Sequence, residues 1–270
     1  MRRAAAKIKN LWLSIYHSRR LLLVLAKKDL KSQFAGSYFG SIWAFVHPLV
    51  SMLVYWVVFQ FGLRAGDIGD TPFVLWFMAG IVPWIYFSES VSKASNALLE
   101  YGYLVKKVVF NIDILPLVKI MSGSMVHVCF ITLAIVIGAV LRYNPSIYIL
   151  QLPYYLLCLW LLIFGISLIT SAVMVFFRDL GQIIGILLFI GMWATPIVWH
   201  IDIVPAQYQF IPKLNPLFYI VEGYRNSIIG GTWFWEKYNQ TMYFWLAVLF
   251  LIIFGSFVFN RLKPHFADTL

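Results

Sequence analysis

Charge is scarce in this chain. Asp and Glu number 11 in 270 residues, and all charged types make up 12%, where a soluble domain carries about 25%. With 61% hydrophobic residues and a mean hydropathy of +0.82, there is too little polar surface to cover the apolar side chains in water. An integral membrane protein is the class this implies. Cysteine is nearly absent as well. Cys129 and Cys158 each sit inside an apolar run, which excludes a disulfide framework and makes both small lipid-facing or core residues. His47 and His127 stand alone in apolar sequence with no partner at ligand spacing, so no metal site is expected.

The motifs of catalysis are missing too. No G-x-x-x-x-G-K-[ST] run occurs, so the chain is not expected to bind ATP in a phosphate-cradling loop. Asp-x-Asp, H-E-x-x-H and G-x-S-x-G are absent, which argues against a membrane glycosyltransferase or hydrolase. No catalytic residue and no cofactor is assigned to the chain. Mid-span charges of the kind a proton-coupled transporter carries are scarce. Residues 1–31 are basic and lack an apolar core followed by a small-residue cleavage site, so this segment is expected to stay on the chain, on the cytoplasmic side.

What is there is a series of charge-free runs, at 32–63, 71–88, 120–141, 143–177, 180–201 and 238–260. Each is long enough, or nearly so, to cross a bilayer. The fold expected is therefore all-α, with six transmembrane helices. The first and fourth runs exceed what a bilayer needs, and the second is expected to continue past Glu89. Six crossings put both termini on one side. Sixteen of the 21 Lys and Arg then fall on the terminal side, against Arg64, Arg142, Lys213, Arg225 and Lys237 on the other, which places both termini in the cytoplasm. The formal +10 thus hugs membrane ends, where anionic headgroups account for it without nucleic acid. Ile8, Leu11, Trp12 and Ile15 follow i, i+3, i+4, i+7 spacing between Lys7, Lys9, Ser14 and His17, the pattern of an amphipathic helix lying in the interface.

Several pieces are not plain spans. Residues 92–116 mix Leu98, Leu99, Tyr103, Leu104 and Val108 with Asn96, Glu100, Lys106 and Lys107. That is a short helix on the cytoplasmic surface, either docking to a partner or resting on its own bundle. After span five come Pro205, Pro212 and Pro216, then an apolar run of about 13 residues at 217–229, too short to cross and long enough to enter the membrane and return. Glu222 and Arg225 share a face there at i, i+3 and neutralise each other. Arg178 and Asp179 make a charged turn between spans four and five, read as a topological stop. Glu89, at the cytoplasmic end of span two, is either a functional intramembrane carboxylate or, as its place near the interface favours, a residue that snorkels to water or caps the next helix. Gly36 with Gly40, and Gly181 with Gly185, form GxxxG spacings that permit close helix approach. Aromatics reach 18%, most of them, including Trp56, Trp84, Trp199, Trp233 and Trp235, in interfacial belts. A minority, Trp43, Phe59, Phe189 and Trp193, are candidates to line a passage, because flat apolar rings stack on sugar faces.

Four blocks carry a resemblance over nearly the whole chain: DLKSQFAGSYFGSIWAFVHP at 29–48, KASNALLEYGYLVKKVVFNIDILP after span two, FFRDLGQ after span four, and TPIVWHIDIVPAQYQFIPKLNPLFYIVEGYRNSIIGG after span five. In order and spacing they resemble the ABC-2 type polysaccharide export permeases, and among these most resemble the teichoic acid translocation permeases of Gram-positive bacteria. The first block departs from the pattern at Gln33, Phe34 and Phe39, where Arg, Tyr and Leu are expected. The resemblance implies a six-helix domain at 32–261 between an N-terminal segment, 1–31, and a cytoplasmic tail, 262–270. It implies a homodimer bound to two copies of a separate ATPase, which holds ATP and Mg, and export of a lipid-linked glycan such as wall teichoic acid, O-antigen or capsule. By it, residues 96–105 become the coupling helix, with Asn96, Leu98, Leu99, Glu100, Tyr103 and Leu104 as the ATPase contact. Arg178 and Asp179 become a cytoplasmic motif. Asn215, Pro216, Glu222 and Arg225 become part of a re-entrant outer hairpin between helices five and six that closes the exit. The alternatives are a small-molecule or drug exporter of the same superfamily, and an enzyme acting on a polyprenyl lipid.

Overall fold

The computed structural model describes residues 17–105, 112–141, 143 and 146–269. The amphipathic pattern at Ile8 to Ile15, together with Arg142, Lys106 and Lys107, lies outside them. Among the described residues all regular structure is helical, apart from one antiparallel bridge between Ile68 and Thr71. Helix α1, Arg19–Ser32, buries Leu22, Ala26 and Asp29. These stand at i, i+4 and i+7, so one stripe faces inward, and it packs along a later helix, α6. A turn follows in which Gly36 and Gly40 adopt φ of +88° and +52°, the left-handed region open to glycine.

Helix α2, Trp43–Val57, runs on into a wide turn at Val58–Gly62. Helix α3, Phe73–Ser95, begins after Pro72, with the Phe73 N–H donating to the Asp67 carboxylate at 3.0 Å. It extends past Glu89, as expected. Two one-turn helices follow, α4 (Ala97–Glu100) and α5 (Gly102–Val105), then α6 (Leu115–Val140), α7 (Leu152–Met174), α8 (Leu180–Ala194), α9 (Phe210–Lys213), α10 (Pro216–Ile228), α11 (Tyr238–Leu262) and α12 (Phe266–Thr269).

Five described stretches are long and apolar enough to cross a membrane: Gly40–Gly62, Phe73–Ser95, Ile112–Val140, Ile147–Met174 and Tyr238–His265. The expected run at 180–201 is helical only to Ala194. Pro196 disfavours helical geometry at the preceding residue, and Thr195 is extended. The 15 residues of α8 rise about 22 Å, short of a hydrocarbon core of about 30 Å.

Burial is uneven. Helix α3 is the centre of the bundle, with 72% of its most apolar window buried, against 11% for the stretch containing α2. Helices α7 and α11 approach closely, so that a Cβ on Gly255 would lie 2.8 Å from the Gly165 carbonyl oxygen. The GxxxG pairs do not act this way within the chain. A Cβ on Gly36, Gly40 or Gly185 would meet nothing within 4 Å, and one on Gly181 only Met174. Trp84, expected in an interfacial belt, is buried mid-α3 with its ring against Gly191 of α8, because α3 is enclosed on several sides.

Side-chain contacts sort the connections into two ends. At one, Lys119 of α6 reaches Asp29, Lys263 bonds Asp113 at 2.6 Å, and Ser95 bonds Thr170 at 2.6 Å. At the other, Thr71 meets Tyr143 at 3.1 Å, Gln151 clamps the Thr232 carbonyl and the Phe234 N–H, and Asn215 donates to Thr195 at 2.8 Å. Helix α8 joins the two.

Candidate functional site

The segment expected to be a single helix at 96–105 breaks at Tyr101 into α4 and α5. The break turns its side chains two ways. Leu98 is fully buried against the chain's own helices, whereas Tyr103 is 60% exposed; Leu99 and Leu104 are half-buried and Glu100 is exposed. Asn96 donates to the Ser92 carbonyl at 3.0 Å, ending α3. Tyr103 is thus the residue that projects outward, Leu99 and Leu104 pack partly against the core, Glu100 is half exposed with its carboxylate on Lys119, and Leu98 and Tyr101 form the inner anchor.

That anchor is polar, and reading the residues one at a time missed it. Asp29 and Lys119 are 2% and 3% exposed and bonded at 2.7 Å. The Tyr101 hydroxyl donates to the same Asp29 oxygen, Oδ1, at 2.6 Å, and the Gln33 amide donates to Oδ2 at 2.7 Å. Lys119 also pairs with Glu100 and lies 5.1 Å from the centre of the Tyr101 ring. Burial alone raises the Asp29 carboxyl. The bonds from Lys119, Tyr101 and Gln33, with the ammonium charge, outweigh burial and hold it below its ordinary value. Burial and then the bond to Asp29 raise the Tyr101 phenol, keeping it a donor. One signal was available in the sequence: a lone acid on the apolar stripe of a basic helix and a Lys opening an apolar run both need a partner once buried.

At the opposite end, Asn215 caps α10, accepting from the Leu217 N–H at 3.0 Å, with Pro216 in the first turn. Glu222 and Arg225 pair at 2.7 Å, as their spacing implied. The Arg225 guanidinium is buried, lies 3.6 Å from the centre of the Trp76 ring and donates to the Ile197 carbonyl at 3.0 Å. It occupies the space beside Gly80, where a Cβ would come within 2.7 Å of it. Tyr224 bonds His127 at 2.8 Å, and His127 stacks on Tyr86 with centroids 4.5 Å apart. This helix is thus pinned to α3, α6 and the 195–198 turn.

Arg178 and Asp179 are exposed, and Asp179 sits at the N-terminal cap of α8, where its charge suits the helix dipole. Trp43, Phe189 and Trp193 are exposed on α2 and α8, whereas Phe59 stacks on Phe73 at 6.5 Å. The two helices touch where the Tyr55 hydroxyl meets the Met192 sulfur at 3.5 Å. Glu89 pairs with Lys93 at 2.8 Å. Among the described residues no group of His, Cys, Asp or Glu could hold a metal.

An all-helical bundle with five apolar stretches long enough to cross a membrane fits a multi-pass membrane protein. Residues 20–229 match the family model of the ABC-2 type transporters, and the chain belongs to that family. It is 28% identical over 251 residues to the O-antigen export system permease protein RfbA of Klebsiella pneumoniae, covering 93% of this chain and 95% of that one. It is 24% identical over 259 residues to the capsule polysaccharide export inner-membrane protein CtrC of Neisseria meningitidis, covering 91% and 92%. The polysialic acid transport protein KpsM of Escherichia coli is 24% identical over 207 residues, covering 76% and 79%. A polysaccharide export permease is the class that these relatives define.

Proposed function

We propose that this chain is the membrane subunit of an ATP-driven exporter that carries a lipid-linked glycan polymer across the cytoplasmic membrane of a bacterium. Two copies work with two copies of a separate ATPase, which binds ATP and Mg. The observation that carries the reading is the combination of family membership with segment 97–105. It presents Tyr103 outward, with Glu100 half exposed beside it, while Leu98, the Tyr101–Asp29 bond and the Glu100–Lys119 pair lock the segment to the bundle. An exposed aromatic ring beside a half-exposed carboxylate, on a rigid base, suits a docking contact with a soluble partner.

In this reading α8 is the sixth crossing, made possible by the 195–201 turn that completes it. Both termini are cytoplasmic, with segment 97–105 on the same side and α10 on the outer side as the re-entrant element. The exposed faces of α2 and α8, with Trp43, Phe189 and Trp193, form the seam between two copies. Closure of the ATPases on ATP moves the coupling segments, the seam parts, and the polymer passes between aromatic walls. Catalysis stays in the partner. Wall teichoic acid is the cargo favoured by the resemblance of the sequence blocks; the names of the relatives support O-antigen and capsule as the wider class. The test is depletion of the protein in growing cells. Accumulation of a lipid-linked polymer at the inner face of the membrane is expected; unchanged polymer export refutes the reading.

A further inference from the structure

The buried charge cluster occupies a stripe that apolar residues could also fill. Leu22, Ala26 and Asp29 form one stripe on α1, and an apolar residue in place of Asp29 would complete it. Replacing buried ion pairs by apolar residues is often neutral or stabilising, so what the cluster supplies is geometry. Three elements meet at a single oxygen. Asp29 Oδ1, on α1, takes both the Lys119 ammonium from α6 and the Tyr101 hydroxyl from the 97–105 segment. Asp29 Oδ2 takes Gln33, in the turn that leads into α2, and Gln33 also lies 3.4 Å from Ser122 Oγ of α6.

The surroundings differ from this tight knot. A cavity of about 570 Å³ lies on one side, lined by Gln33, Phe34, Trp43, His47, Glu89 and Lys93 among others. Another of about 290 Å³ lies on the other, near Lys28, Tyr103 and Ser32. Helix α1 packs on α6 along its Leu22, Ala26 and Asp29 stripe, the charge cluster lies at the C-terminal end of that contact with open space beside it, and α2 is the least buried of the crossing stretches. The two carboxylates on Lys119 are also unequal. Asp29 is enclosed and holds three donors, whereas Glu100 has a half-exposed side chain, so Glu100 is the bond that solvent can replace.

Resting on the reading that segment 97–105 contacts the ATPase, we propose that Asp29 and Lys119 are positioning residues of the transport cycle. Through Tyr101 they fasten the segment to α1, so a displacement of the segment swings α1, and α2 with it, about the cluster. Glu100 is the tie that loosens as the segment moves.

The test uses the permease in complex with its ATPase. Asp29→Asn keeps the shape and removes the charge. Normal assembly, continued ATP hydrolysis and export lowered tenfold or more are expected, with part of the export returning in the Asp29→Lys/Lys119→Asp exchange. Normal export by Asp29→Asn overturns the proposal. So does loss of ATPase association, since the cluster would then only shape the docking surface. A second measurement does not depend on that variant's folding. With Cys129→Ser and Cys158→Ala as background, spin labels at Leu23 on α1 and at Asp268 should change separation when ATP binds; an unchanged distance overturns the proposal. Retained ATPase association in Leu99→Asp would instead sink the coupling reading itself, whatever Asp29 does.

Discussion

Gly223→Ala tests the packing of the outer half of the bundle most sharply. A Cβ at residue 223 would lie 2.0 Å from Tyr155 Cε1, 2.2 Å from Cζ and 2.4 Å from Cδ1, where a relaxed carbon pair sits at about 3.5–4.0 Å. The ring must therefore retreat by about 1.5 Å. It has nowhere to go: Tyr155 is 1% exposed, with the rings of Tyr154, Tyr219 and Tyr224 centred 5.1, 5.5 and 6.4 Å away. Overpacking of this kind costs about 1–3 kcal/mol, and a boxed-in ring puts this site at the upper end. For a chain of this size that is a fall in Tm of ~6–12 °C, read as thermal unfolding of the detergent-solubilised protein. Gly138→Ala is the control, because its Cβ would meet Leu75 at 3.4 Å, an ordinary contact, and helix propensity favours Ala by about 0.5–1 kcal/mol. Adding Tyr155→Leu to Gly223→Ala should recover part of the loss, since the two share the clash. A Gly223→Ala protein that melts with the wild type refutes the close approach of α10 to α7.

Asp in place of Leu99 or Tyr103 should abolish co-purification with the ATPase while insertion persists. Lys93→Ala should cost about 0.5 kcal/mol or less, because its bond to Glu89 is a half-exposed i, i+4 pair. The folded Asp29 carboxyl titrates below its ordinary value of 3.8, so its stabilisation is fully present above that value and is lost as pH falls through the lower, folded one. The Tm difference between wild type and Asp29→Asn should therefore stay constant from about pH 5 to about pH 8 and close only at more acid pH; a difference that fades between pH 7 and 6 contradicts this. Cysteines placed at Asp67 and Lys237 should react with an impermeant maleimide from outside the cell, and one at Asp268 should not; the reverse pattern inverts the orientation.

Five of the six expected spans were legible because burial of a helix in lipid requires charge-free runs, and those runs need no knowledge of partners. Their ends were less so. Pro196 stops α8 at Ala194, and the 180–201 run contains no charge to mark that stop. Glu222 and Arg225 were readable as a pair because three residues on a helix always share a face. Asp29 and Lys119 were not, since 90 positions separate them and only the packing of α1 on α6 brings them together. The same holds for Gly165 and Gly255 on α7 and α11. Neither belongs to a GxxxG spacing, yet the two backbones approach closely, while of the motif glycines Gly36, Gly40 and Gly185 face open space and Gly181 only the end of Met174. Tyr101 was hidden in another way: a continuous helix over 96–105 satisfied the residue pattern, and the inward bond to Asp29 appears only with the break.

The central claim, that this chain is the path and its partner the motor, is tested most directly in vesicles. The permease and its ATPase are reconstituted together, with a fluorescent lipid-linked glycan supplied on the side bearing the ATPase. The account expects glycan to appear on the far side with ATP, and not with an ATPase unable to hydrolyse it or with the permease alone. Movement of a small amphiphilic drug but no movement of the glycan under the same conditions would contradict it.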